Sequence, residues 1–176
     1  VVLMEHAGRN ITDAIEDYLG GDSDARQRIA IVAGTGNNGG DGYVVARQLT
    51  VRGYAVEVFV VGDPSRFTDD AKVNYEVCWK LGIKTWATEG DKLGRLAGPL
   101  AEFDLVVDAL GGTGISGALR GELATAVEQI NAAGRPVVAV DIPTGLDCDT
   151  GPTDGPMIKA ALTVTMVARR AASRSD

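Results

Sequence analysis

The chain has 176 residues, of which 45% are hydrophobic, 23% charged and 5% aromatic. This length predicts one globular domain over residues 1–176, with enough chain to bury a substantial core. No stretch approaches the roughly 20 uninterrupted apolar residues of a membrane helix, and the apolar content is too high for a disordered chain. The net charge of −7 disfavours binding of a long nucleic acid, because a polyanion would meet net repulsion.

The cysteine content and the first residues predict where the protein acts. Cys78 and Cys148 are too few and too far apart for a disulfide framework or a metal-knuckle site, so a reducing cytoplasm is the expected compartment. No basic and apolar leader opens the chain. Because the chain starts with valine rather than methionine, we expect residues to be missing before it, and we expect the domain to be trimmed at both ends.

Predicted strands and helices alternate along the chain. An amphipathic helix is predicted over 4–19, where the glycine pair 20–21 ends it. Short apolar runs rich in β-branched residues follow and predict buried parallel strands. The runs are RIAIVAG (28–34), AVEVFVVG (55–62), DLVVDAL (104–110), PVVAVDI (136–142) and ALTVTMV (161–167), with a weaker strand at 83–86. Helices are predicted between them at about 41–52, 69–82, 89–101 and 121–133.

This alternation predicts an α/β fold, a Rossmann-like doubly wound and mostly parallel sheet with helices on both faces. Ligands of such sheets bind beyond the carboxyl ends of the strands, so the loops that leave the strands indicate where the chemistry lies. The sequence shows no internal repeat and no low-complexity linker.

The first strand runs into GTGNNGGDG (34–42), a glycine-rich turn. Exposed amides at the start of the next helix favour an anion there, such as a phosphate group. The turn contains GxGxxG, and Asp63 closes the second strand where a dinucleotide fold keeps a ribose-binding carboxylate. The alternative is a glycine-rich turn without a ligand, but adjacent asparagines and glycines are poor material for simple helix initiation.

Two aspartates end neighbouring strands. Asp108 follows three hydrophobic residues in an interior strand, where an unpaired carboxylate would cost several kcal/mol and therefore implies a cation or a donor. Asp141 ends the next strand and opens the polar loop 142–151. Either one alone is equally well explained as a turn or helix cap. Together, facing a third loop of amide donors, they predict a pocket for a cation and a polar ligand.

Five motifs stand out together: the loops GTGNNGGDG, DALGGTG and AVDIPTGLD, with LMEHAG at the start and LTVTM near the end. In this order they resemble the NAD(P)H-hydrate epimerase family, the amino-terminal domain type of the YjeF proteins. The resemblance spans essentially the whole chain. It implies an isomerase of nicotinamide nucleotide repair that interconverts the R and S epimers of hydrated NADH or NADPH, called NAD(P)HX, with a bound potassium ion. It also implies coupling to an ATP- or ADP-dependent NAD(P)HX dehydratase. The sequence leaves the oligomeric state open, a homodimer being one option.

The resemblance also implies roles for individual residues. Asn38, Asp108 and Thr144 would ligate potassium through oxygen atoms, with threonine in place of the more usual serine. Asp141 would contact the ligand near the reacting ring and act as the catalytic acid–base group. The full set of implied ligand contacts is Asn37, Asn38, Gly39, Gly40, Asp41, Gly112, Thr113, Gly114, Ile115, Ser116, Gly117, Ala118 and Asp141.

Some positions depart from the family pattern. His6 replaces an asparagine, and we expect it to form hydrogen bonds near the pocket rather than to transfer protons. Arg169 and Arg170 stand where the family has a lysine, which puts any role of that lysine in doubt.

Two other classes of function stay open. One is a non-catalytic module that binds a nucleotide or recruits a protein, and the other is a nicotinamide-dependent oxidoreductase, supported by GxGxxG and Asp63 alone.

Overall fold

The computed structural model describes residues 2–20, 27–114 and 116–165. In these ranges the α-helices are α1 (Val2–Leu19), α2 (Asn37–Val51), α3 (Asp69–Lys80), α4 (Ala97–Leu100) and α5 (Gly121–Ala132). The strands are β1 (Arg28–Ala33), β2 (Ala55–Val61), β3 (Lys84–Thr88), β4 (Leu105–Ala109), β5 (Val137–Val140), β6 (Leu146–Asp147), β7 (Gly151–Pro152) and β8 (Leu162–Val164). Two segments, Pro64–Arg66 and Gly90–Arg95, are 3₁₀-helical. No helix among the described residues is both long and apolar enough to cross a membrane.

Six strands form one sheet in the order β3-β2-β1-β4-β5-β8, and all neighbouring strands are parallel. The short strands β6 and β7 pair separately as an antiparallel hairpin. The strand order reverses between β1 and β4, because the chain first moves outward to β3 and then continues on the other side of β1. A crevice opens at such a reversal, beyond the carboxyl ends of the strands. The predicted Rossmann-like fold is confirmed.

Helices cover both faces of the sheet, which gives three layers. Side chains alternate between the faces along each strand. On one face Ile29 and Ile31 of β1 pack in a core with α1, α2 and α3. On the other face Ala30 and Val32 pack with the 3₁₀ segment Gly90–Arg95, α4 and α5. The central strands are buried on both sides, which is why they read as uninterrupted apolar runs.

Helix α1 lies along α2 and fixes its position on the sheet. The Met4 side chain fits against Gly40, where a Cβ would come within 2.6 Å of the Met4 methyl carbon. Arg47 forms an ion pair with Glu5 at 2.6 Å and donates to the Asn74 side chain of α3 at 2.8 Å. These polar links connect three helices of one layer, so the start of α2 is held between the sheet and two neighbouring helices.

Helix α2 starts at Asn37, four residues before its predicted start at 41. The glycines there pack closely: a Cβ at Gly39 would overlap the carbonyl oxygen of Gly34. Glycine is a poor helix former, but most helical stability in proteins comes from tertiary packing. The expectation that the asparagines and glycines oppose helix initiation is therefore wrong.

Other predicted boundaries also differ from the structure. The helix predicted over 89–101 is instead the 3₁₀ segment Gly90–Arg95 followed by the single turn of α4. Gly94, Gly98 and Pro99 weaken a regular α-helix there. The hairpin of β6 and β7 was not predicted, since two-residue strands carry no periodic signal. The last strand covers Leu162–Val164, and residues 166–167 of the prediction lie outside the described residues.

Candidate active site

A cleft of about 570 Å³ opens at the carboxyl edge of the sheet, where the strand order reverses. One part of its lining comes from the turn before α2 and the first residues of that helix, and the rest from the segments that follow β4 and β5. The lining residues are Gly36, Asn37, Asn38, Asp41, Leu110, Gly111, Gly112, Thr113, Gly114 and Asp141. Of the predicted ligand contacts, this lining includes Asn37, Asn38, Asp41, Gly112, Thr113, Gly114 and Asp141.

The start of α2 offers free amides to the cleft. The first amides of an α-helix have no carbonyl in their own helix to bond. Here the bonding begins at Gly40, whose amide donates to the Gly36 oxygen at 3.0 Å. The amides of residues 37–39 therefore lie at the positive end of the helix dipole. A phosphate or another anionic ligand group fits this end of the cleft.

The side-chain amide of Asn38 is buried without hydrogen-bond partners. Its Oδ1 and Nδ2 atoms are both buried and have no hydrogen-bond partner. A buried polar group without a partner costs about 1–3 kcal/mol, so the arrangement points to a ligand that the amide would bind. A Cβ at Gly112 would lie 3.4 Å from Asn38 Oδ1 and 2.7 Å from Asp141 Oδ2. Only glycine leaves the room that brings these side chains to one wall.

Asp108 is fully buried at the end of β4, between Val32 of β1 and Ala139 of β5. Its Oδ2 accepts the Thr144 amide at 2.9 Å, and its Oδ1 accepts the Thr144 hydroxyl at 2.7 Å and the Leu110 amide at 3.2 Å. Burial raises the pKa of Asp108 to about 6, although these hydrogen bonds oppose the rise. The carboxylate therefore ties the end of β4 to the loop after β5.

Two of the three predicted potassium ligands, Asp108 and Thr144, are in direct contact. Thr144 Oγ1 also accepts the Gly111 amide at 3.1 Å, and the next residue, Gly112, is the one that Asn38 approaches. The three side chains thus surround the same short stretch of backbone. All of them offer an oxygen atom, and the amide oxygen of Asn38 is the one without a partner.

Asp141 has a strained backbone. Its φ of 69° makes it the only non-glycine residue with a positive φ in the described part of the chain. Its amide donates to the Val164 carbonyl and its carbonyl accepts the Thr165 hydroxyl, both at 2.9 Å. Such a conformation costs about 1–3 kcal/mol and persists where the surroundings enforce it. It directs the carboxylate into the cleft, where Oδ2 accepts the Thr113 amide at 3.2 Å.

Asp41 is close enough to Asp141 for the two carboxyls to influence each other. Burial raises the pKa of Asp41 to about 6, and the negative charge of Asp141 contributes to the rise. From the sequence, Asp41 was predicted only as a ligand contact, and its pairing with Asp141 was not predicted. Helical spacing is the signal that relates it to the site: once α2 starts at Asn37, Asp41 lies one turn from the asparagines on the same side.

Several predicted contacts do not line the cleft. Gly39 and Gly40 are buried between α2 and its neighbours. Ile115 lies outside the described residues, and Ser116, Gly117 and Ala118 are exposed and do not line the cleft, although Gly117 contacts the β6–β7 hairpin. There Asp147 accepts the Gly117 amide at 2.9 Å, and backbone hydrogen bonds lower the pKa of Asp147 to about 2. That residues 116–118 wrap a ligand stays a prediction.

Two residues with predicted roles, His6 and Asp63, lie outside the cleft. His6 is exposed on α1 and does not line the cleft, so the expected hydrogen-bonding place beside the pocket is not found. Asp63 is also exposed and caps the 3₁₀ segment Pro64–Arg66, where its Oδ1 accepts the Ser65 amide at 2.8 Å. Asp63 does not line the cleft, so the structure adds no support to the oxidoreductase alternative. Arg169 and Arg170 lie outside the described residues.

A doubly wound parallel sheet with a glycine-rich turn and a polar cleft at its reversal point defines a Rossmann-type α/β domain. Residues 1–172 match the model of the family described as YjeF-related protein N-terminus. The chain belongs to this family, as its motifs predicted.

Relatives and a solved structure extend this result. The chain is 41% identical over 168 residues to the NAD(P)H-hydrate epimerase of Pirellula staleyi, covering 95% of this chain and 72% of that protein. It is 46% identical over 166 residues to the bifunctional NAD(P)H-hydrate repair enzyme Nnr of Moorella thermoacetica, covering 94% of this chain but only 31% of that protein. The crystal structure of yeast ynu0 (YNL200c) superposes with a TM-score of 0.78 at 32% identity, covering 93% of this chain and 69% of the yeast chain.

Proposed function

We propose that the protein interconverts the R and S epimers of NADHX and NADPHX. The observation that carries this proposal is the Asp141 carboxylate, held by a strained backbone inside a cleft that also presents the free amides of α2. The cleft thus offers an anion-binding helix start for the phosphates and a fixed carboxylate for the reacting ring. Names of relatives such as the Pirellula staleyi epimerase agree with this activity.

The chemistry requires no hydride transfer. The C6–hydroxyl bond of the hydrated ring breaks with help from the lone pair of the ring nitrogen, and water then adds to the opposite face of C6. A carboxyl near C6 assists by protonating the departing hydroxyl and by taking a proton from the returning water. Asp141 is the proposed participant in these proton transfers, and the hydrogen bonds that hold its backbone on both sides and orient its carboxylate towards the Thr113 amide support this role.

We also propose that Asn38, Asp108 and Thr144 hold a potassium ion. The unpartnered amide oxygen of Asn38 and the oxygen-only character of the set fit a hard monovalent cation. When bound, the ion would supply a positive charge that anchors the loops or a ligand phosphate. Thr144 itself positions the backbone at Gly111 by accepting its amide, and Asp108 holds Thr144 in place, while Asn38 lies beside Gly112.

The proposed partner is an NAD(P)HX dehydratase that uses ATP or ADP and consumes the S epimer. The long relative from Moorella thermoacetica is named as a bifunctional repair enzyme, which supports this coupling. The cytoplasm is the proposed compartment. A homodimer is a further proposal, tested by the mass of the protein in solution.

Turnover tests the proposal directly. The protein is incubated with an R,S mixture of NADHX or NADPHX and an S-specific dehydratase, and the loss of the R epimer is followed. The proposal expects the R epimer to disappear faster than it epimerises spontaneously, in proportion to the amount of protein. If the protein binds the nucleotide but the R epimer disappears only at the spontaneous rate, the chain is a binding module.

A further inference from the structure

We propose that Asp41 is a second catalytic carboxyl of the cleft, which protonates the departing hydroxyl on one face of the ring while Asp141 accepts a proton from the water that returns on the other. This inference rests on the proposed epimerase function and assigns the proton transfers of its two half-steps to two different side chains. It differs from a mechanism in which Asp141 alone serves both steps.

The lining of the cleft supports this assignment. Among the described residues that line the cleft, Asp41 and Asp141 are the only ones with a titratable side chain, and neither α1 nor α3 contributes a charged group. The two carboxyls come from different elements, one from α2 and the other from the end of β5. A ligand in the cleft therefore meets acid–base groups that approach it from separate parts of the fold.

A single fixed carboxyl does not suit inversion at C6. Hydroxide leaves one face of the ring and water returns to the other, so protons are exchanged on two faces. Asp141 cannot move from one face of the ring to the other. Its backbone is hydrogen-bonded to Val164 and Thr165, and its carboxylate accepts the Thr113 amide. Unless the ring turns over within the cleft, a second proton carrier is needed, and Asp41 is the other titratable group that the described residues bring to the cleft.

The electrostatics of the cleft favour a proton on Asp41. Burial and the neighbouring Asp141 charge raise the pKa of Asp41 to about 6, so Asp41 retains a proton where an ordinary carboxyl has lost it. A protonated Asp41 is the general acid that the first half-step requires.

The proposed steps balance. The C6–O bond breaks, its electron pair leaves with the oxygen, and the Asp41 proton converts the hydroxide to water while the ring nitrogen supplies electrons to C6. Water then forms a new C6–O bond on the opposite face, the nitrogen recovers its lone pair, and the extra proton passes to Asp141. Transfer of that proton back to Asp41 completes the cycle. In the reverse direction the two carboxyls exchange roles, as microscopic reversibility demands.

The test compares Asp41→Asn with the wild-type protein over a range of pH, after subtraction of the uncatalysed rate at each pH. The variant should lower kcat by about 10²–10⁴-fold with little change in KM, because an amide cannot donate the proton. The wild-type kcat/KM should fall as pH rises above about 6, where Asp41 loses its proton, and this fall should disappear in the variant. Asp104→Asn is the matched control, since Asp104 accepts the Arg28 amide at 2.8 Å at the other edge of the sheet.

Three outcomes would overturn the inference. Wild-type turnover by Asp41→Asn would mean that Asp41 transfers no proton, while the epimerase function would stand. A raised KM with unchanged kcat and an unchanged pH profile would make Asp41 a ligand-positioning residue. Absence of turnover in the folded wild-type protein would overturn the proposed function itself, which the wild-type assay reveals before any variant is made.

Discussion

Two cavities of similar size lie at different parts of the sheet. The cleft at the carboxyl edge has a volume of about 570 Å³, and a groove beside β3 has about 640 Å³. The groove is lined by residues of β2, β3 and the segment from Lys92 to Phe103, including Trp86, which is half-exposed. Volume alone therefore does not distinguish the candidate active site from an ordinary surface groove.

The polar groups of the two cavities differ. In the groove, Glu57 accepts the Trp86 indole N–H at 2.8 Å and pairs with Arg28 at 3.5 Å and with Lys84 at 3.6 Å. In the cleft, the Asn38 amide atoms have no partner and Asp141 has a strained backbone. Unmet hydrogen bonds and backbone strain are features that a fold retains for a ligand. The following experiments test this contrast between cleft and groove.

The largest effect is expected from Asp141→Asn. Asparagine tolerates a positive φ as well as aspartate does, so the backbone should keep its conformation while the titrating group is lost. Epimerisation should decrease by about 10²–10⁴-fold while nucleotide affinity falls far less. Steady-state kinetics and direct binding measurements separate the two effects. A loss of affinity with unchanged kcat would instead give Asp141 a positioning role.

Asp108→Ala should have a smaller effect, on binding. The variant leaves the buried Thr144 and Leu110 amides without their acceptor, at about 1–3 kcal/mol for each unmet donor. We expect a folded protein whose affinities for nucleotide and potassium are each about 10–100-fold weaker, measured by calorimetry. Asp108→Asn keeps an acceptor oxygen and should be milder. Wild-type affinities in the alanine variant would show that Asp108 is only a cap.

The raised pKa of Asp41 predicts a pH-dependent stability. The unfolded chain loses this proton near pH 3.8, whereas the folded protein keeps it to about pH 6. The free energy of unfolding should therefore fall as pH rises between these values, by on the order of 2–3 kcal/mol from this group. Urea unfolding at pH 4 and pH 7 measures the fall, which should be smaller by that amount in Asp41→Asn. Equal pH dependence in both proteins would contradict the pKa assignment.

The smallest effect is expected in the groove. Trp86→Ala removes a half-exposed ring and the hydrogen bond to Glu57, and it should lower stability by about 1 kcal/mol. The rate of epimerisation and the nucleotide affinity should match those of the wild type. A loss of turnover without unfolding would show that the groove takes part in function and would remove the contrast between the two cavities.

Local sequence determined the order and type of most elements. Strands buried on both faces need uninterrupted apolar residues, so RIAIVAG predicted β1 to within one residue of its end at Ala33. The predicted helix over 121–133 likewise agrees with α5 (Gly121–Ala132). The start of α2 could not be predicted in this way, because glycine is a poor helix former and these glycines are explained by tertiary packing, of Gly39 against Gly34 and of Gly40 against Met4.

The candidate site shows the same division. Asp108, Asp141 and the glycine-rich loops stood out in the sequence, because polar residues at the ends of buried strands need partners and parallel strands end at one edge of the sheet. The tertiary structure alone decided that Asp108 binds Thr144, that Asp141 has a positive φ, and that Asp41 lies near Asp141. These features depend on distances between residues that are far apart in the chain. Strand order and helix packing set those distances, and local sequence propensities do not.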